Sequence, residues 1–326
     1  MRGAMNQQYQ NHSDSAGVDP STQPEGPGRF LTGPKAILSM VSRVECKLGH
    51  YERSPVGSIV EIRDPRYLSS TERSELLRRL TEFNFVIYQT RSNSFQKTDL
   101  GFLGLQLGIG RTDHNFCADD DNISSVQVCQ QGDRPRYIPY TDRPLGWHTD
   151  GYYYGNCSGR VIRSFILHCV TPAPQGGENA FIDPDVVFLL LHEIDESLPV
   201  TLSNPSAFTI PPDSDQTVDR QFSRTGPVFS IDPESGALHM RYTGRRHNIM
   251  WNPDPHITAA ARCLKDVIEQ ASRYTVSHKL ESGQGVICNN VLHRRSGFVN
   301  GDSDAAQRLI YRARFYKRIP GTRPSW

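Results

Sequence analysis

From residue 161 to the end of the chain, turn residues cut the sequence into apolar runs too short for helices. That punctuation constrains the fold more than any other feature. Residues 161–170 (VIRSFILHCV) read as a strand and 180–182 as another. Residues 228–231 and 237–242 flank the turn sequence DPESG, which predicts a hairpin. The turn ESGQG precedes a strand over 286–289, and 307–319 reads as a long final strand. The 26 glycines and 22 prolines of the 326 residues fit such a turn-rich chain. Helices are fewer but well marked. Ser69 and Glu72 form an S-x-x-E capping box ahead of Leu76, Leu77 and Leu80, so the spacing predicts a helix over 70–82. A strand at 83–88 and a short helix at 98–107 follow. Asp183-Pro184 and Asp254-Pro255 each place an N-cap before a proline at the first helical position. They predict helices over 184–193 and along the face Ile257, Ala261, Leu264, Val267 and Ile268. Residues 109–136 read as irregular. Their acidic run Asp119–Asp120–Asp121 lacks the glycine and terminal glutamate of a calcium loop and is expected to be a solvated surface loop. The expected fold is mainly β with added helices: a double-stranded β-helix, that is, a jelly-roll or cupin-like barrel, in preference to an alternating βα chain.

Residues 1–34 are rich in Gln, Asn, Ser, Gly and Pro and are expected to be a disordered tail. No comparable linker or repeat follows, so 35–326 is read as a single domain. Lys and Arg number 36 against 35 Asp and Glu. A net charge of +1 argues against bulk binding to nucleic acid or an anionic membrane. No run approaches the ~18 apolar residues of a membrane span, and the first thirty residues lack a signal peptide's apolar core. Seven cysteines without a C-x-x-C spell no disulfide framework or zinc ribbon, so reduced thiols and a cytoplasmic location are expected.

The candidate chemistry lies in Gly146-Trp147-His148-Thr149-Asp150-Gly151. On a strand or strand end, residues two apart point to one side, so His148 and Asp150 can aim at one point. His293 comes 143 residues later in CNNVLHRR, just past a predicted strand. Two histidines and one carboxylate on one face of a metal make the facial triad of non-haem iron oxygenases, with the opposite positions open. Alone, an H-x-D pair is weak evidence. The last strand strengthens it, because alternation separates Leu309, Tyr311, Ala313 and Phe315 from Arg308, Ile310, Arg312, Arg314 and Tyr316. The arginine face is either solvated, as one-sided strands often are, or turned into a barrel to bind anions. Arg308 and Arg312 would stand ~13 Å apart and serve different ends of a pocket. Extending the alternation past Asp150 puts Tyr152 on the ligand side, either as a substrate-pocket candidate or packed in the core or rim. His168, on a strand face, is expected to be a satisfied buried histidine, and 239–247 a solvated basic hairpin edge.

WHTDG, HCVTPAPQGGENAFID, NNVLHRR and the R-x-x-x-R of RLIYR together resemble the TauD/TfdA family of Fe(II)/2-oxoglutarate-dependent dioxygenases, in order and at plausible distances over roughly 60–318. The resemblance implies that His148, Asp150 and His293 are the Fe(II) ligands and the catalytic centre. It implies that Arg308 pairs with the distal carboxylate of the co-substrate 2-oxoglutarate, and that Arg312 faces an anionic group of the substrate. Asn179 stands where the family commonly has a threonine that contacts a carboxylate. Asp150 argues for oxygen transfer over halogenation, since related halogenases carry a small residue there. The implied reaction consumes O2 and hydroxylates a small anionic or polar substrate, releasing succinate and CO2. The resemblance also implies a possible homo-oligomer. Two alternatives differ in class: a cupin-like binding protein without turnover, and a zinc hydrolase using the same ligands.

Overall fold

A computed structural model describes residues 34–53, 58–91, 95–114, 117–154, 160–212, 223–245, 249–303 and 306–323. Apart from Pro34, the expected tail lies outside the described residues. The chain begins with α1 (Pro34–Arg53), β1 (Ile59–Ile62), α2 (Ser70–Phe83), β2 (Phe85–Thr90), α3 (Asp99–Gln106) and β3 (Ser124–Val126). The centre holds β4 (Leu145–His148), β5 (Ser164–Thr171), β6 (Gln175–Gly176), β7 (Asn179–Ile182), α4 (Pro184–Ile194) and α5 (Ser197–Leu202). Short strands β8 (Phe208–Ile210), β9 (Arg224–Gly226), β10 (Phe229–Ile231), β11 (Leu238–Met240) and β12 (Met250–Trp251) lead to α6 (Pro255–Gln270). The chain closes with β13 (Val276–His278), β14 (Gln284–Cys288), β15 (Leu292–Arg295), β16 (Phe298–Val299) and β17 (Leu309–Phe315).

Two sheets carry the architecture. One has six strands in the order β1-β2-β14-β5-β17-β3, and the other four in the order β13-β7-β15-β4. They face each other across an apolar core containing Phe85, Phe165, Cys169, Val286, Cys288 and Ile310 from the larger sheet and Phe181 from the smaller. Phe85 and Phe181 stack across the gap with ring centroids 5.3 Å apart. The outer face of the larger sheet packs under α2 and α3 through Val86, Tyr88, Ile166, Ala313 and Phe315. The outer face of the smaller one meets α1, α4 and α6, with Ile182 and Leu292 against Val187, Phe188 and Leu264. Helices therefore cover both outer faces of a β sandwich, and among the described residues the expected barrel is not closed.

The marked helices form for the reasons the sequence gives. Ser69 and Glu72 complete the capping box, and Asn84 ends α2 in the left-handed conformation. Asp183 accepts from the Asp185 N–H, and Asp254 from those of His256 and Ile257. The hairpin is β10 with β11, antiparallel. Four expectations need correction. The last strand spans 309–315, not 307–319, because Ser164, the strand partner of Phe315, is the first residue of β5. The irregular stretch 109–136 contains β3, whose three residues pair with Ile310–Arg312 of β17. The acidic run there is no freely solvated loop, since Asp119 pairs with Lys97 and Arg134 and accepts from the Ser125 hydroxyl. Nor are residues 239–243 a solvated edge: His239 and Arg241 are buried, and Arg241 donates to the carbonyls of Tyr152 and Arg224. His247 lies outside the described residues. Among them, no helix is long and apolar enough to cross a membrane.

Candidate active site

His148 ends β4 and His293 is the second residue of β15, and the two are direct cross-strand partners. Antiparallel pairing puts their side chains on one face, which is the face turned toward the larger sheet, because His293 meets the ring of Phe165 at 4.7 Å. Asp150 follows in a turn. Its bend needs Gly151 at φ +72°, where a Cβ would lie 2.5 Å from Ile162. The segment after β11 supports β4 from the other side: Thr149 N–H donates to the Tyr242 carbonyl and Gly244 N–H to that of Trp147.

The imidazole centroids of His148 and His293 are 4.2 Å apart. His148 Nε2 is 3.9 Å from Asp150 Oδ1, and one ligand atom from each of the three residues falls within 4.8 Å of the others. Each histidine sits 2.9 Å, through Nδ1, from the carbonyl two residues earlier, Gly146 for His148 and Val291 for His293. A carbonyl can only accept, so Nδ1 carries the proton and both Nε2 lone pairs face the centre. Burial favours the neutral rings and pushes His148 down to about 3, with His293 also lowered. Burial works against an ionised Asp150, but Arg312 and Arg314 outweigh it and hold the carboxyl well below its usual range. Asp150 Oδ2 is buried without a hydrogen-bond partner. Two neutral imidazoles and a carboxylate with an orphaned oxygen, converging at this range, fit a divalent cation.

The arginine face of β17 points into the sandwich. Arg308 and Arg314 are buried and Arg312 nearly so, while Ala313 and Phe315 pack beneath the outer helices. The solvated alternative is thereby excluded. The three arginines differ in what they meet. Arg314 pairs with buried Asp113 and donates to the Tyr153 hydroxyl. Arg312 Nη1 stands 3.7 Å from Asp150 Oδ1. Arg308 forms no ion pair among the described residues, its Nη1 lacks any hydrogen-bond partner, and burial pushes its pKa down to about 10. Its guanidinium lies over the Phe298 ring at 5.0 Å, and its Nε is 3.5 Å from where a Gly177 Cβ would be. Gly177 itself has φ +77°. A buried cation lacking an anion is the observation that fits a carboxylate-bearing co-substrate.

Asn179 opens β7 opposite Arg295, on the same inter-sheet face as Phe181. Tyr152 is placed otherwise than alternation suggests. β4 stops at His148, the period of two does not extend through the turn, and Tyr152 joins the core cluster beside α4. His168 is a satisfied buried histidine, 3.1 Å from the Tyr88 hydroxyl and stacked on Phe95. The residue that sequence reading missed is Asp113, which collects Arg314, Tyr154 and Tyr316. It stands 201 residues from Arg314, so no local pattern announces the pair.

The family model for "Taurine catabolism dioxygenase TauD, TfdA family" matches residues 50–314. A uridine-5'-phosphate dioxygenase from an Amycolatopsis species is 30% identical over 183 residues, covering 53% of this chain and 61% of its own length. A protein of the same name from a Streptomyces species is 26% identical over 211 residues, covering 60% and 70%. Among solved structures, a taurine dioxygenase from Burkholderia xenovorans superposes with a TM-score of 0.53 at 17% identity, over 79% of this chain and 86% of that one. That likeness shows a shared fold.

Proposed function

The chain belongs to the TauD/TfdA family, and from that membership we propose an Fe(II)- and 2-oxoglutarate-dependent oxygenase acting on a small anionic substrate of the nucleoside 5'-phosphate class. The observation that carries the reading is that two features lie between the two sheets: the His148, Asp150 and His293 cluster on the side of the smaller sheet, and, beside β17 of the larger, the buried Arg308, which forms no ion pair among the described residues. In this reading the described sandwich belongs to a jelly roll, and residues 35–326 form one domain.

His148, Asp150 and His293 would hold Fe(II), and Arg308 would take the distal carboxylate of 2-oxoglutarate. When bound, iron and co-substrate supply O2 activation, with 2-oxoglutarate leaving as succinate and CO2. The chain's own residues prepare for this. The Gly146 and Val291 carbonyls fix the two tautomers, and Phe165 packs on the His293 ring. Arg312 keeps Asp150 ionised and offers a cation beside it. A second anion entering there would be oriented by the guanidinium fork. Asn179 stands on the same face, able to donate to a carboxylate.

The substrate class rests on the curated relatives, which are named for uridine 5'-phosphate. A phosphate monoester supplies the anion that Arg312 would meet. The test is succinate formation by the iron-loaded protein with uridine 5'-phosphate, other nucleoside 5'-phosphates and taurine in parallel. A rate raised by the nucleotides and not by taurine supports the class. A rate raised by taurine alone overturns it.

A further inference from the structure

We infer that Asn290 is a positioning residue that locks the spacing of Asp150 and His293 before any metal arrives. The inference rests on reading His148, Asp150 and His293 as metal ligands. Asn290 lies in the short crossing from β14 in the larger sheet to β15 in the smaller, three residues before His293. Its backbone is left-handed, with φ 54°, a conformation asparagine tolerates better than most residues with a side chain. The side chain is almost wholly buried, and every polar atom is used. Oδ1 accepts from the Asp150 N–H at 2.8 Å. Nδ2 donates to the Asp150 carbonyl at 3.0 Å and to the Ile162 carbonyl at 2.7 Å. One amide thus grips both backbone polar groups of the carboxylate residue and ties them to the chain entering β5.

Geometry gives this clamp its significance. Asp150 sits beyond the last β4 residue, in a turn, so strand pairing that fixes His148 does not fix it. Among the described residues its Oδ2 has no hydrogen-bond partner and its Oδ1 meets only the long Arg312 ion pair at 3.7 Å and His148 Nε2 at 3.9 Å, so the backbone that carries the carboxylate is its main restraint. Asn290 holds that backbone and, three residues on, leads directly into the strand bearing His293. With all its side-chain polar atoms committed to backbone groups, it acts only through the placement of a ligand. Asn289 is a built-in contrast. Also buried, it bonds Thr322, Asn84 and the Ile319 N–H, all away from the cluster.

The test uses Co(II) as the probe, followed by its visible d–d absorption, on the full chain without co-substrate. Asn290→Gly keeps the positive φ and removes all three hydrogen bonds. Removing an outer support of a metal ligand is expected to weaken Co(II) binding by about 10- to 100-fold, with altered d–d bands. Asn289→Ala is expected to lower Tm with unchanged Co(II) affinity and bands. An Asn290→Gly protein that is folded and binds Co(II) as wild type does, with the same bands, overturns the inference. Hydrogen exchange on metal-free wild type keeps the question answerable even if the variant does not fold. A protected Asp150 amide is expected, and free exchange there overturns the clamp. Wild type that binds no Co(II) overturns the metal reading itself, and this inference with it.

Discussion

Replacing Arg308 with methionine should make the metal-free protein more stable while abolishing tight 2-oxoglutarate binding. Arg308 is 5% exposed, its guanidinium has no ion-pair partner among the described residues, and burial pushes its pKa down to about 10 from the ordinary 12.5. The group is still charged at neutral pH, and the burial penalty on the charged form is fully present below about pH 10. At 1.36 kcal/mol per pKa unit, that penalty is about 3 kcal/mol. Methionine keeps most of the volume over Phe298 but loses the cation–π contact at 5.0 Å, worth about 1 kcal/mol. The net expectation is a gain of about 2 kcal/mol, or a Tm rise of roughly 4 °C for a domain of this size. The same change removes the cation proposed for the co-substrate's distal carboxylate. Truncating one side of a buried charged contact costs about 2–5 kcal/mol, so the 2-oxoglutarate Kd should rise by roughly 30- to 5000-fold. Thermal melts of the metal-free protein measure the first effect. Anaerobic titration of the Fe(II) protein with 2-oxoglutarate, followed by its visible charge-transfer absorption, measures the second. A variant destabilised by more than about 1 kcal/mol that still binds 2-oxoglutarate within threefold of wild type would refute the reasoning on both counts.

Two other perturbations follow from the buried charges. Asp113→Asn leaves Arg314 buried opposite a neutral amide, with Tyr154 and Tyr316 still aimed at it. The expected loss is about 3–5 kcal/mol in urea denaturation, and a loss below about 1 kcal/mol would show that the pair adds little. Burial disfavours an ionised Asp119, but Lys97, Arg134 and Ser125 outweigh it and lower its pKa to about 2. Its contribution is therefore present above about pH 4 and fades as pH falls toward 2. The group is partly solvated, so Asp119→Asn should cost about 1 kcal/mol near neutrality and only a small fraction of that at pH 2. A cost that does not change between those pH values contradicts the assignment.

How much of this was legible in the chain depended on whether the partners were local. The helices α2, α4 and α6 carry their own caps, so their starts could be read directly. α1 carries no such mark, although Ile37, Met40 and Val44 repeat at helical spacing. The fourth position of that face is Lys47, which breaks the apolar pattern. Its ammonium is satisfied by Asp183 and Asp185, 136 and 138 residues away at the start of α4. The arginine face of β17 posed the same difficulty in reverse. Alternation separated the two faces correctly, but only the buried Asp113 and the facing sheet decide which one turns inward. The His148, Asp150 and His293 set was readable because strand periodicity puts residues two apart on one side and motif order supplied the third member. Tyr152 packs in the core because the strand ends at His148, and nothing in WHTDG marks that end except Gly151, whose φ of +72° turns the chain.

The most direct measurement combines wild-type protein, Fe(II), 2-oxoglutarate, O2 and uridine 5'-phosphate, with succinate and oxidised nucleotide quantified together. The account predicts succinate and oxidised nucleotide in equal amounts, and neither product from a folded His293→Ala protein. Iron-loaded, folded wild type that forms no more succinate than His293→Ala, with nucleotide or any other small anion offered, would contradict it.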